Sequence, residues 1–201
     1  MKRLAVLISN VGTGTNLQAI IDAVGAKKLN AEIVVVISDT KDALGIKRAK
    51  KHKLEVAVCK DKKELLPLLK RHNPDYVALA GWKQIILDEV IDGYKNRILN
   101  VHPGAIPSTL NGQVKNPDGT MAISNRGKLA QKAIQNFLDQ KANYAAASIH
   151  FLTHKFDFGP VLARGFVKIK SSDTVDMLYT RLKKTEHRIY VKSLQKLCPF
   201  K

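Results

Sequence analysis

Arg3-Leu4-Ala5-Val6-Leu7-Ile8-Ser9 runs directly into Asn10-Val11-Gly12-Thr13-Gly14-Thr15-Asn16, after which Leu17, Ile20, Ile21 and Val24 recur at helical spacing. An apolar run without alternation reads as a strand buried on both faces, the kind found in parallel sheets. With the glycine loop and the amphipathic helix it makes one strand, loop, helix unit, and the pattern then repeats. Glu32 to Ser38, Leu54 to Cys59, Tyr76 to Ala80 and Ile98 to Val101 read as strands, with helices over Ala43 to His52, Glu64 to Arg71 and Gln84 to Tyr94. This alternation predicts an α/β fold built on an open, mostly parallel sheet with helices on both faces. Farther on, Ala145 to Leu152 and Val161 to Ile169 read as two more strands. Val175, Leu178, Leu182 and Ile189 mark a long final helix capped near Ser172 or Asp173. No internal repeat or flexible linker divides the chain, so residues 1 to 201 are expected to form a single domain.

Composition narrows the class. With 201 residues, 45% hydrophobic and 25% charged, the chain can bury a sizeable core and lacks the signature of disorder. Cys59 and Cys198 lie far apart without metal-ligand spacing, which argues against a zinc site or a disulfide framework. The apolar stretch Leu4 to Ile8 is too short for a signal-peptide core or a membrane span, so a cytoplasmic protein with no membrane partner is expected. The formal charge of +17 raises the question of nucleic acid. Lysines crowd between Lys41 and Arg71, but Asp42, Asp61 and Glu64 are interspersed and no aromatic platform accompanies them. Nucleic acid is therefore not expected as a partner, whereas phosphorylated or carboxylate-bearing small molecules suit such a field.

Two motifs carry chemistry. Ile98-Leu99-Asn100-Val101-His102-Pro103 reads as a strand ending at a proline, and alternate strand residues share a face, so Asn100 and His102 should point the same way. About fifty residues later stands Phe156-Asp157-Phe158-Gly159-Pro160. An amide can donate to an oxyanion forming on a carbonyl, an imidazole can move the proton an attacking amine must lose, and a carboxylate can orient the imidazole. On residue types alone, His102 could equally be a satisfied strand-end histidine and Asp157 a turn residue. The glycine loop offers amide N–H groups to an anion at the helix start. A bare tight turn, the phosphate of a small substrate and a nicotinamide cofactor all stay open there. The dinucleotide fingerprint lacks its third small residue because Leu17 occupies the position, although Asp39 lies at a suitable distance.

Taken in order, Leu7-Ile8-Ser9 with Gly14-Thr15-Asn16-Leu17, then Leu79-Ala80-Gly81-Trp82, then the Asn100-Val101-His102-Pro103 element, then His150-Phe151 through Asp157-Phe158-Gly159-Pro160, then Thr185-Glu186-His187, resemble the folate-dependent formyltransferases. The resemblance implies a Rossmann-like formyltransferase fold and 10-formyltetrahydrofolate as the formyl donor. The acceptor it implies is the primary amine of phosphoribosylglycinamide, in purine biosynthesis. Asn100, His102 and Asp157 would be catalytic, and Gly14, Thr15 and Asn16 would hold the substrate phosphate. Glu186 would hold the ribose hydroxyls, although it could instead be an i to i+4 salt-bridge partner within a lysine-rich helix. Lys83, Gln84, Ile85 and Ile86 match the segment lining the folate pocket, together with Asn100, and Lys63 is a candidate for the acidic tail of the folate. No metal is implied, and a monomer or homodimer is expected.

This sequence departs from that family in four places. The glycine loop is about two residues longer, Lys83-Gln84 is unusual, and His154-Lys155 replaces acidic character. The fourth is the region from Gly104 to Arg126, which carries the turn signals Asn111-Gly112 and Asn116-Pro117-Asp118-Gly119, and Gly104 itself stands where a small hydroxyl residue or alanine is usual. A long loop leaving the catalytic strand should border the acceptor site. Other readings are a nucleotide-linked amino sugar or aminoacyl-tRNA acceptor, hydrolysis of the formyl group, or a nucleotide- or RNA-binding module without catalysis. His150, on an apolar strand, is expected to be structural.

Overall fold

The computed structural model describes residues 1–10 and 12–200; Val11, inside the glycine loop, and Lys201 lie outside the described residues. The chain gathers into two compact units, residues 1–100 with 194–201, and residues 101–193.

The first unit is the repeated strand and helix pattern. Its strands are β1 (Lys2–Ile8), β2 (Ala31–Ser38), β3 (Val56–Val58), β4 (Tyr76–Leu79) and β5 (Ile98–His102), whose last two residues pass into the second unit. All neighbours are parallel, in the order β3-β2-β1-β4-β5. Leu4 to Ile8 are all buried, as a central parallel strand requires. The helices are α1 (Thr15–Gly25), α2 (Leu44–Lys51), α3 (Leu65–His72) and α4 (Asp88–Gly93). The chain steps outward from β1 to β3 and then returns to the other side of β1 for β4 and β5. Right-handed crossovers must therefore put α1 and α2 on one face and α3 and α4 on the other. The packing agrees, because α1 meets α2 and α3 meets α4. The reversal creates a crevice beyond the carboxyl ends of β1 and β4, where such sheets receive ligands. There the Lys83 amide donates to Ser9 Oγ at 2.9 Å.

One expected helix is shorter than its reading. Gln84 to Leu87 are not helical; Leu87 has extended dihedrals (φ −72°, ψ 154°), and the helix starts at Asp88, where Asp88 and Glu89 face its positive end. Ile86 turns inward and is buried, whereas Ile85 stays 69% exposed.

In the second unit β6 (Tyr144–Phe151) and β7 (Val161–Lys168) form an antiparallel hairpin, with Ser148 opposite Arg164. Its connection carries Asp157. A further helix, absent from the expected elements, α5 (Ala130–Asp139), buries Ala133, Ile134 and Phe137. The final helix, α6 (Val175–Leu197), opens after Thr174, whose Oγ1 accepts from the Met177 amide at 3.3 Å. Asp173 is engaged elsewhere, accepting from the Lys170 amide and from Arg181, and so Thr174 rather than Ser172 or Asp173 is the cap. Residues 104 to 126 are held together by turns. Asn116 and Thr120 close a small hairpin with a Lys115 to Met121 bridge, and Gly112 closes a turn onto Thr109.

Candidate active site

His102 ends β5 with only 2% of its surface exposed. Its Nδ1 stands 3.4 Å from Asp157 Oδ1, and its Nε2 stands 2.7 Å from the carbonyl oxygen of Ser124. The other carboxylate oxygen of Asp157 accepts from the Gly127 amide at 2.8 Å. Asp157 holds a left-handed backbone (φ 46°) in the turn closed by the Phe158 amide on the Lys155 carbonyl at 3.1 Å. Aspartate tolerates that conformation better than most residues. Burial alone would push its carboxyl up. The hydrogen bond and charge of His102, with the Gly127 amide, outweigh burial and hold it below the usual carboxylate range.

Asn100 precedes His102 by two residues on the same strand, so the alternation of β5 gives both side chains one direction. His150 is fully buried on β6, with Nδ1 3.0 Å from the Phe151 carbonyl. Burial, reinforced by His102, pushes its pKa down to about 4, so it stays neutral in the structural role expected of it.

In the first unit Gly14 caps α1 in the left-handed region (φ 72°), and a Cβ there would lie 2.8 Å from Gly45 Cα. Only glycine lets α1 begin this close to α2. Arg48 braces the loop by donating from Nε to the Thr13 carbonyl at 2.9 Å. Asn16 is buried, and its Oδ1 has no hydrogen-bond partner among the described residues; the same holds for Asp39 Oδ1 and Trp82 Nε1. These residues follow β1, β2 and β4, at the carboxyl edge of the parallel sheet. Buried polar atoms left without partners are costly, and these three fit a polar ligand at this edge that donates to the two oxygens and accepts from the indole N–H.

Gln84 and Ile85 line a recess with Lys60, Asp61 and Lys62. Lys63 adjoins it in sequence and is exposed, its amide donating to Asp61 Oδ1 at 2.9 Å. Lys83 is exposed, whereas Ile86 packs into the core. In the second unit Glu186 is 3% exposed and its Oε2 lies 2.5 Å from Lys183 Nζ, one turn back on α6. A salt bridge within the helix is therefore present for Glu186, at a spacing of three residues rather than the four expected.

Residues 2–194, spanning most of both units, match the formyl transferase family. The chain belongs to the formyl transferase family. It is 33% identical to the phosphoribosylglycinamide formyltransferase of Dictyostelium discoideum over 216 aligned positions, covering 96% of this chain and 97% of that one. The chloroplastic phosphoribosylglycinamide formyltransferase of Arabidopsis thaliana is 28% identical over 98% of this chain, which spans only 65% of that relative's length. Among solved structures, glycinamide ribonucleotide transformylase 1 from Symbiobacterium toebii superposes with a TM-score of 0.83 at 30% identity, covering 96% of this chain and 86% of that one. The formyltransferase fold anticipated from the motifs is thus the fold of this chain.

Sequence reasoning about this formyl transferase missed the backbone groups around the imidazole. The Ser124 carbonyl and the Gly127 amide carry no side-chain signature. The available signal was indirect, namely the glycine at position 104 and the Asn125-Arg126-Gly127 turn, in which Asn125 and Gly127 both adopt positive φ.

Proposed function

We propose that this chain transfers a formyl group from 10-formyltetrahydrofolate to the primary amine of phosphoribosylglycinamide, a step of purine biosynthesis. The observation that carries the reading is the His102–Asp157 pair at 3.4 Å, with Asn100 two residues earlier on the same strand. The acceptor nitrogen attacks the formyl carbon, forming the new C–N bond and turning the carbonyl into an oxyanion. The Asn100 amide donates to that oxyanion. His102 takes the proton that the amine loses and returns it to the folate nitrogen as the old C–N bond breaks. Asp157 supports the charged imidazole while it holds that proton.

Binding roles follow the same reading. Gly14, Thr15 and Asn16 receive the acceptor phosphate at the start of α1, where the backbone N–H groups of the first helical turn favour an anion. Glu186 binds the ribose hydroxyls in addition to pairing with Lys183. Ile85 offers the folate an exposed apolar surface, with Lys83, Gln84, Ile86 and Asn100 in the supporting wall and Lys63 beside the acidic tail. The two units work as one formyltransferase domain, on small-molecule substrates. No helix among the described residues is long and apolar enough to cross a membrane.

The test is release of tetrahydrofolate from 10-formyltetrahydrofolate on addition of phosphoribosylglycinamide. Formylated product supports the reading. No release with this acceptor overturns it and directs the search to amino sugars.

A further inference from the structure

Gly104 follows the catalytic histidine by two residues, and the space its missing side chain leaves is filled. A Cβ built on Gly104 would lie 1.8 Å from the Ser124 carbonyl oxygen, 2.5 Å from its carbon and 2.9 Å from His102 Nε2. No side chain can occupy that position while Ser124 stays in place, since the clash is with backbone. Through this gap the Ser124 oxygen reaches within 2.7 Å of His102 Nε2.

Both sides of the gap are pinned. The Gly104 carbonyl accepts from Ser148 Oγ at 2.6 Å, and the same hydroxyl accepts from the Ile106 amide at 3.0 Å. Opposite, the Ala105 amide donates to the Ile123 carbonyl at 2.9 Å. Asn125 is 3% exposed; its Nδ2 donates to the carbonyls of Pro103 at 3.0 Å and Ala133 at 3.1 Å, and its Oδ1 accepts from Asn136 Nδ2 at 2.8 Å. Arg126 Nε donates to the Phe156 carbonyl at 2.8 Å, and the Gly127 amide holds Asp157. The strap from residues 123 to 127 is thus tied to both sides of the His102–Asp157 pair.

A carbonyl oxygen can only accept, so the short contact requires a proton on Nε2. The Nδ1 contact with Asp157, at 3.4 Å, is a long hydrogen bond and leaves that nitrogen the looser of the two. We propose that the Ser124 carbonyl, admitted by the absence of a side chain at Gly104, is the positioning group of His102. It fixes the ring and keeps Nε2 protonated, so Nδ1, on the Asp157 side, is the nitrogen that takes the proton from the amine and gives it to the leaving nitrogen. One proton enters at Nδ1 and one leaves from it, and the Nε2 proton is a spectator. This rests on the formyl-transfer reading above.

The test uses protein labelled with ¹⁵N in its histidine rings, free of substrates, in the wild type, Gly104→Ala and Asn125→Ala. Asn125→Ala loosens the strap without adding an atom beside His102, and serves if Gly104→Ala does not fold. We expect a slowly exchanging Nε2–H resonance from His102 in the wild type and its loss in either variant. We also expect kcat to fall roughly tenfold, the kinetic equivalent of one lost hydrogen bond, with KM for phosphoribosylglycinamide within about twofold. A wild-type ring whose Nε2 is unprotonated or freely exchanging overturns the proposal. So do variants that keep the resonance and kcat, or that change KM alone. Because the resonance is recorded without substrates, a wild type that shows it but does not formylate phosphoribosylglycinamide overturns the assigned reaction and not the ring contact.

Discussion

His102 Nδ1 and Asp157 Oδ1 face each other at 3.4 Å across the end of β5 and the turn after β6, inside the second unit. The aspartate accepts from the Gly127 amide as well as facing the histidine, and with its carboxyl held below the usual carboxylate range it is charged at neutral pH. Replacing Asp157 by Asn keeps the shape and removes that charge. We expect kcat to fall by about a hundredfold or more, within the span typical of general acid–base groups, with little change in KM. Steady-state kinetics on both substrates check this, and a loss below threefold would remove Asp157 from the mechanism.

His150 makes the fold sensitive to acid. Its pKa is about 4 when folded, below the value of about 6.5 for an unfolded histidine. As pH falls below 6.5 the unfolded chain takes up a proton that the native state refuses until about 4. The stability His150 confers is therefore complete above 6.5 and lost by the lower limit. The difference amounts to roughly 3 kcal/mol. Urea titrations between pH 7 and 4 should show His150→Gln with a flatter loss than the wild type.

Gly14 combines a left-handed backbone with a neighbour that cannot retreat, since a Cβ would meet Gly45 Cα at 2.8 Å. Gly14→Ala should cost about 2 kcal/mol or more from positive-φ strain and overpacking together. Because α1 opens at this residue, KM for the phosphorylated acceptor should also rise more than KM for the folate. Thermal melts together with separate substrate titrations read the two effects.

Glu186 and Lys183 distinguish a structural pair from a substrate contact. If the pair is only structural, Glu186→Gln and Lys183→Met should destabilise comparably, by about 2 kcal/mol, and leave KM alone. If Glu186 also holds the ribose hydroxyls, Glu186→Gln should raise KM for phosphoribosylglycinamide by roughly tenfold beyond the effect of Lys183→Met, one hydrogen bond's worth. Equal KM values in the two variants would end the ribose assignment.

The strands and the Asn100 to His102 spacing were readable in the chain because both rest on local rules. Continuous apolar runs define buried strands, a glycine loop opens a helix, and alternation along β5 aligns two side chains two residues apart. The family followed from motifs in order, each itself short and local. For α5 the helical spacing of Ala130, Ala133, Ile134, Phe137 and Leu138 was present in the chain, and the structure adds that Ala133, Ile134 and Phe137 form its buried face. Two features needed the tertiary structure. The helix expected from Gln84 begins only at Asp88, because Leu87 is extended and Ile86 is turned into the core. The grip on His102 comes from the Ser124 carbonyl, 22 residues away, through a space that exists because residue 104 has no side chain. Backbone carbonyls are identical at every position, so only the packed chain decides which of them meets the imidazole.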